Sequence, residues 1–436
     1  MMLARSIFAI SILGICLLSC KSNPPGPDGT GGFGLTILDA SCSEAWLRIA
    51  LDSSIRPRAI TLMRGTTTLL TTSLQAAETL IVDQGLLPNH RYTYTLSRPT
   101  GFGSNDSRSA AVTTLDTTSS DFTWQIDTLG VTSSSLYDVT IINDTLAYAM
   151  GEMYLRDSTG QLDPILYNLA VWNGATWSIH RVAYNYQGQQ FFNPIQSVFA
   201  FNRNDIWLCG NGVIRWNGAQ FVEVPIPTSV WGPYRMNKMW GSSSYDLYAV
   251  GDGGSIARYA NGWWQRIEGG TDLQFLDIYG ASDSKTGEQQ ILAVCTRNYP
   301  LGQAVFSIQN NIANQISSYP IQWELWSVWF VPNRRYYVVG SGIYEKGSLT
   351  DTLWENGPLD ITRYGTTRVR ANGLNDVFVV GAFGECLHYN GKSWKSFHSV
   401  TGLAYGGYSS VAARQGMIMA VGAVDGHAVA TIGRRY

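Results

Sequence analysis

The chain has 436 residues, of which 45% are hydrophobic and only 14% charged, with a formal net charge of -2. That length accommodates two or three domains with a sizeable core, and so even a charge balance gives no electrostatic reason to expect nucleic acid or an anionic membrane surface as partner. The 45 Gly, 15 Trp and 23 Tyr suit short strands joined by tight turns, because Gly supplies positive-φ positions and aromatics favour strands.

In chain order, Arg5 precedes an apolar run from Ile7 to Leu18. The run is too short to span a bilayer but fits a signal segment. It ends in Leu17-Leu18-Ser19-Cys20, which resembles the bacterial lipobox. The resemblance implies cleavage of residues 1–19 and lipidation of Cys20, with acyl chains holding the exported protein in a membrane, the outer membrane being the expected one. An ordinary secretory signal with an incidental Cys is the alternative. KSNPPGPDGTGG then reads as a Pro/Gly tether, so that 20–32 is lipidated Cys plus spacer. Cys42, Cys209, Cys295 and Cys386 show no metal-ligand spacing and read as buried free thiols.

Residues 33–117 carry six strand candidates separated by turn residues. Within them LLPNHRYTYTL, Leu86 to Leu96, resembles the segment of fibronectin type III domains in which a Leu and a Pro precede a Tyr opening a strand. The resemblance implies a β-sandwich spacer or adhesion module, with Tyr92 closing a tyrosine corner.

Residues 121–436 repeat with a period of roughly forty residues. NDIWLCG (Asn204 to Gly210), YDLYAVG (Tyr245 to Gly251) and NDVFVVG (Asn375 to Gly381) align without gaps. TLAYAMG, ILAVC, RYYVVG and GMIMAVG are looser copies, which makes seven. Each copy reads as four strands, the last two joined by Asn-Gly as in HYNGKSW (His388 to Trp394), a hairpin signal that predicts a type I′ turn. The seventh copy lacks a fourth strand, while FTWQIDTL (Phe122 to Leu129) precedes the first copy without partners. The predicted fold is therefore all-β: a fibronectin type III-like sandwich, then a seven-bladed β-propeller closed by the strand Phe122 to Leu129. These repeats are similar to those of uncharacterised secreted bacterial propeller proteins with NDV-aromatic-VVG and NG-x-x-W phrases. That resemblance implies fold and export rather than an activity.

The five His are scattered and no GxSxG, Walker or HExxH motif occurs, so neither a metal nor a cofactor is expected. Aligning the first strands gives seven polar positions, Asp138, Ser197, Lys238, Asp277, Ser327, Arg368 and, allowing a one-residue gap, Ser409. They form either a ligand funnel at a central channel or a ring that satisfies backbone groups between blades, the reading that seven-fold repetition favours. Propeller ligands commonly sit on the loops leading into the first strand and those linking the second and third. Here these loops are rich in aromatic and amide side chains, and the candidates are Tyr186, Phe191, Trp231, Tyr234, Arg235, Trp323, Glu324 and Trp326. Flat apolar rings beside hydrogen-bonding groups suit a protein or glycan ligand. The leading expectation is a monomeric, non-enzymatic, membrane-anchored binding or adhesion protein that does not engage nucleic acid. Alternatives are a glycoside hydrolase or lyase using acids near the channel, and a scaffold in an envelope assembly.

Overall fold

The structure, a computed structural model, describes residues 12–13, 32–52, 58–100, 103–186, 189–297, 299–358 and 360–436. Cys20 and residues 21–31 of the expected tether lie outside the described residues. The chain divides into two compact units, Met1–Thr118 and Ser119–Tyr436.

In the first unit Phe33–Ala40, Glu44–Leu51 and Glu78–Gln84 form one sheet, to whose edge Ile12–Leu13 adds a short ladder. The strands Arg58–Arg64, Thr67–Leu74, Arg91–Pro99 and Asn105–Thr113 form the other. Alternating residues such as Leu47, Ile49, Ile60, Leu62, Tyr94 and Leu96 meet in a single core, as period-2 strands require when one face is covered. The Tyr92 hydroxyl accepts the Leu87 N–H at 2.9 Å, and buried Asp83 holds Arg64 at 2.9 Å and the Tyr94 hydroxyl at 2.7 Å.

The second unit consists of antiparallel four-stranded sheets, the architecture of a β-propeller. Among its described residues there are seven such sheets, whose first strands are Ser135–Asn143, Ser197–Asn202, Met236–Ser243, Gln274–Ser282, Leu325–Val331, Thr366–Gly373 and Gly406–Arg414. Six of them are contiguous in sequence. The seventh takes its outer strand from Phe122–Leu129, which pairs with His427–Arg435 over eight positions, from Ala428↔Leu129 to Arg435↔Phe122. Phe122 and Trp124 pack there on Phe397.

The repeated phrases are cross-strand partners. Asp205, Asp246 and Asp376 open the second strands of their sheets. They bind Arg215 at 2.8 Å, Arg258 at 2.7 Å and His388 at 2.9 Å from the third strands. Each of these partners also pairs directly with the aromatic two residues beyond the acid: Trp207↔Arg215, Tyr248↔Arg258 and Phe378↔His388. The guanidiniums sit over their rings at 5.2 and 5.3 Å, and His388 stacks on Phe378 at 4.6 Å, contacts that favour a cation or flat ring on a π face. The fifth sheet inverts the charges, Arg335 standing in the acid's place and pairing with Glu345 at 3.2 Å.

The Asn-Gly turns differ from the type I′ expectation. Only Asn261-Gly262 has positive φ at both residues, 54° and 87°. In the loops at Asn173, Asn217 and Asn390 the Gly alone is left-handed. There the Asn side chain accepts backbone N–H groups two and three residues on, as Asn390 Oδ1 does from Lys392 at 3.0 Å and Ser393 at 2.9 Å. Two extra loop residues make this Asx arrangement available, and it needs no positive φ at Asn.

Candidate functional site

The glycine that ends each AVG-type phrase explains how the first strands are shaped. A Cβ at Gly151, Gly251, Gly340, Gly381 or Gly422 would fall about 2 Å from a carbonyl at, or immediately before, the start of the first strand, as close as 1.9 Å for Gly340 and Glu324 O. Opposite these glycines the first strand carries an extra residue, shown by register breaks at Leu136/Asp138, Met236/Lys238, Leu325/Ser327, Thr366/Arg368 and Tyr408/Ser410. The fourth sheet has the same break at Phe275/Asp277, with Cys295 in the glycine's place. Each bulge re-aims the residue after it. That residue is Asp138, Lys238, Asp277, Ser327, Arg368 and, correcting the sequence alignment, Ser410. Ser409 is the extra residue of its bulge, the counterpart of Tyr137 and Trp326, because the alignment placed its gap on the wrong side of the insertion.

These positions, with Ser197, converge in one buried network. Asp138 accepts Ser197 Oγ at 2.8 Å, the Val198 N–H at 2.9 Å, Lys238 Nζ at 2.5 Å and Ser410 Oγ at 2.7 Å. Asp277 repeats the pattern with Ser327 Oγ at 2.6 Å and the Val328 N–H at 3.1 Å. It also holds Arg370 through two hydrogen bonds of 2.8 and 2.9 Å, and Arg368 Nη1 lies 2.9 Å from it. Asn237 Nδ2 donates to Phe275 O and Thr367 Oγ1 to Tyr408 O, linking the third sheet to the fourth and the sixth to the seventh. Arg370 is not marked by the aligned register, which takes one residue per strand. The available signal was the period of 2, which puts residues 368 and 370 on one face.

Burial would raise both carboxyls, but the neighbouring cations outweigh it. Asp277 is held far below the usual range by Arg370 and Arg368, and Asp138 is lowered by Lys238 and Arg368. Burial with repulsion from Arg368 and Arg370 overcomes the attraction of Asp138 and brings Lys238 down to about 8. Both acids are ionised at neutral pH and saturated by donors. Neither is held protonated for general-acid work, so the pair on which a glycoside hydrolase or lyase reading stood is committed to structure.

The antiparallel meander puts the loops into each first strand and those between second and third strands on one face, and the remaining turns on the opposite face. Exposed aromatics gather on the first: Phe191, Tyr234, Tyr299, Tyr319, Trp323, Trp326, Phe383 and Tyr405, against Phe221, Tyr245, Trp263 and Tyr436 on the second. Trp323 is 58% and Trp326 38% exposed, and Trp326 is a bulge residue directly preceding Ser327. Half-buried Glu324 accepts the Ser341 N–H through its carbonyl. Arg235 donates to Asn237 Oδ1 at 3.1 Å and lies 3.7 Å from Asp252. Trp231 does not belong with them. It is 3% exposed, packs with Trp207, Met236 and Trp264, and donates its indole N–H to Tyr234 O at 2.6 Å, so it anchors the loop that displays Tyr234. The side chain of Tyr186 lies outside the described residues. Between the fifth and sixth sheets on this face is a groove of about 310 Å³ lined by Tyr344, Asn356, Arg363 and Tyr364.

The fold defines a protein of the β-propeller class. Among solved structures, the chain is similar to YCF48 bound to D1 peptide, with 15% identity and a TM-score of 0.52 over 74% of this chain and 100% of that one. It is also similar to YCF48 from Cyanidioschyzon merolae, with 12% identity and a TM-score of 0.51 over 71% and 98% of the two chains. At these identities the likeness is one of fold. No protein-family model and no curated protein matches the chain.

Proposed function

We propose that this protein is a membrane-anchored binding protein whose seven-bladed propeller presents its aromatic face to a protein segment. The observation that carries the reading is the crowding of exposed aromatics onto the face that also bears the Tyr344–Tyr364 groove. Clustered Trp and Tyr beside Arg are the side chains that dominate protein interfaces. The YCF48 structure with its D1 peptide gives a precedent for a propeller that binds a polypeptide. In this reading residues 1–19 are removed, Cys20 is acylated in the outer membrane, and residues 33–117 act as a fibronectin type III-like spacer, consistent with the Tyr92–Leu87 hydrogen bond. The strand Phe122–Leu129 closes the ring by completing the seventh blade.

The test is a peptide and glycan array probed with the purified protein and with a Trp323→Ala/Trp326→Ala variant. Peptide signals that disappear in the variant support the reading. Signals restricted to glycans, or peptide signals indifferent to both substitutions, overturn it.

A further inference from the structure

Below the polar ring, on the side away from the aromatic face, the channel holds a cavity of about 360 Å³. Its wall comes from residues that follow the ring positions on their strands: Phe199, Trp240, Tyr279 and Trp329 are the large ones, and Ala371, Ala412 and Ala413 leave the space. Lys238 and Arg370 close its inner end beside Asp138, and exposed Arg414 stands at its lining.

The ring is not neutral. Lys238, Arg368 and Arg370 are three cations set against the two carboxylates Asp138 and Asp277, all with side chains 16% exposed or less. Burial of an unmatched charge is costly, so buried charges are normally paired. Donor capacity is also in excess. Arg370 is committed to Asp277, Ser327 Oγ and backbone carbonyls. Arg368 Nε and Nη1 also have no hydrogen-bond acceptor among the described residues, but they are enclosed and do not line the cavity, so Arg368 contributes charge rather than donors. The one hydrogen bond described for Lys238 Nζ goes to Asp138, whereas an ammonium carries three donors.

We propose that the channel binds a small monocarboxylate. Its head accepts hydrogen bonds from Lys238 Nζ at the inner end, beside Arg370, and cancels the ring's surplus charge, while its apolar body lies among Phe199, Trp240, Tyr279 and Trp329. A volume at the small end of ligand cavities and a wall that includes four aromatic side chains fit an aromatic or short aliphatic acid. This site is separate from the proposed protein-binding face, and either can fail without the other.

The test is calorimetric titration of the purified protein with sodium benzoate, benzyl alcohol and sodium chloride at pH 7. Benzoate is expected to bind with one-to-one stoichiometry, and benzyl alcohol at least tenfold more weakly. Lys238→Met is expected to weaken benzoate at least tenfold. Ala412→Leu, which fills the cavity and leaves every ring charge in place, is expected to do the same, so the inference remains testable if Lys238→Met misfolds. Absence of benzoate binding, equal binding of benzyl alcohol, binding of chloride alone, or full benzoate affinity in Ala412→Leu would overturn it.

Discussion

Replacing Asp277 with Asn keeps its volume and removes one charge from the most buried part of the ring. The carboxylate is 0% exposed and receives two hydrogen bonds from Arg370, one from Ser327 Oγ and one from the Val328 N–H, with Arg368 alongside. After the substitution three ring cations face Asp138 alone, and one half of the amide presents donors to the guanidiniums. Breaking a buried ion pair from one side costs about 3–5 kcal/mol, because the partner charge remains buried and unmatched. An exposed pair offers the control: Asp272 binds Arg297 at 2.6 Å but its side chain is 78% exposed. Surface changes of that kind usually stay within about 0.5 kcal/mol. Urea unfolding followed by tryptophan fluorescence should therefore separate Asp277→Asn from Asp272→Asn by a large shift in midpoint. Adding Arg370→Met to Asp277→Asn should recover part of the loss, with a coupling of about 2 kcal/mol. If Asp277→Asn is no more damaging than the surface control, the ring does not hold the sheets together and the reasoning is refuted.

Phe122→Ala with Trp124→Ala removes the aromatic packing of the closing strand on Phe397; both side chains are half-buried, and a loss of roughly 2–4 kcal/mol is expected in the same assay, somewhat below the range for fully buried rings. Deleting residues 24–32 should leave that transition unmoved, and equal effects would argue against closure by this strand. Trp231→Ala should destabilise by roughly 3 kcal/mol or more, whereas Trp323→Ala should leave the urea midpoint unchanged and weaken partner binding. Asp277, Asp138 and Asp376 all have carboxyls lowered from 3.8, Asp376 to about 2; their stabilisation is complete above about pH 5 and disappears as pH falls, so urea midpoints should be flat from about pH 7 to 5 and drop between about pH 4 and 2. Cys20→Ser should move the protein from membrane to soluble fractions, and persistent membrane association would count against lipidation.

Local chemistry determined much of this protein. Alternation marked strands, Asn-Gly marked the hairpins between third and fourth strands, and a last copy one strand short pointed to Phe122–Leu129 as its missing strand. These signals act over a few residues, and the repeat multiplied them until they became legible. What the repeated letters do for one another was decided only in three dimensions. The Asp of NDV meets the Arg or His of the third strand, 10 and 12 residues on in the Asp205 and Asp376 pairs. The terminal Gly of the AVG phrases leaves room for the carbonyl that approaches at the start of the first strand, beside the bulge.

The ring itself depends on contacts beyond any local pattern. Asp138 and Ser410 are separated by 272 residues, and no spacing rule distinguishes Ser410 from Ser409. The bulge does, because one extra residue turns the next side chain inward. Tertiary packing likewise separated Trp231, enclosed by Trp207 and Trp264, from Trp326, left at the surface. Sequence registers both as tryptophans in aromatic loops, but burial is set by which neighbouring strand passes above them.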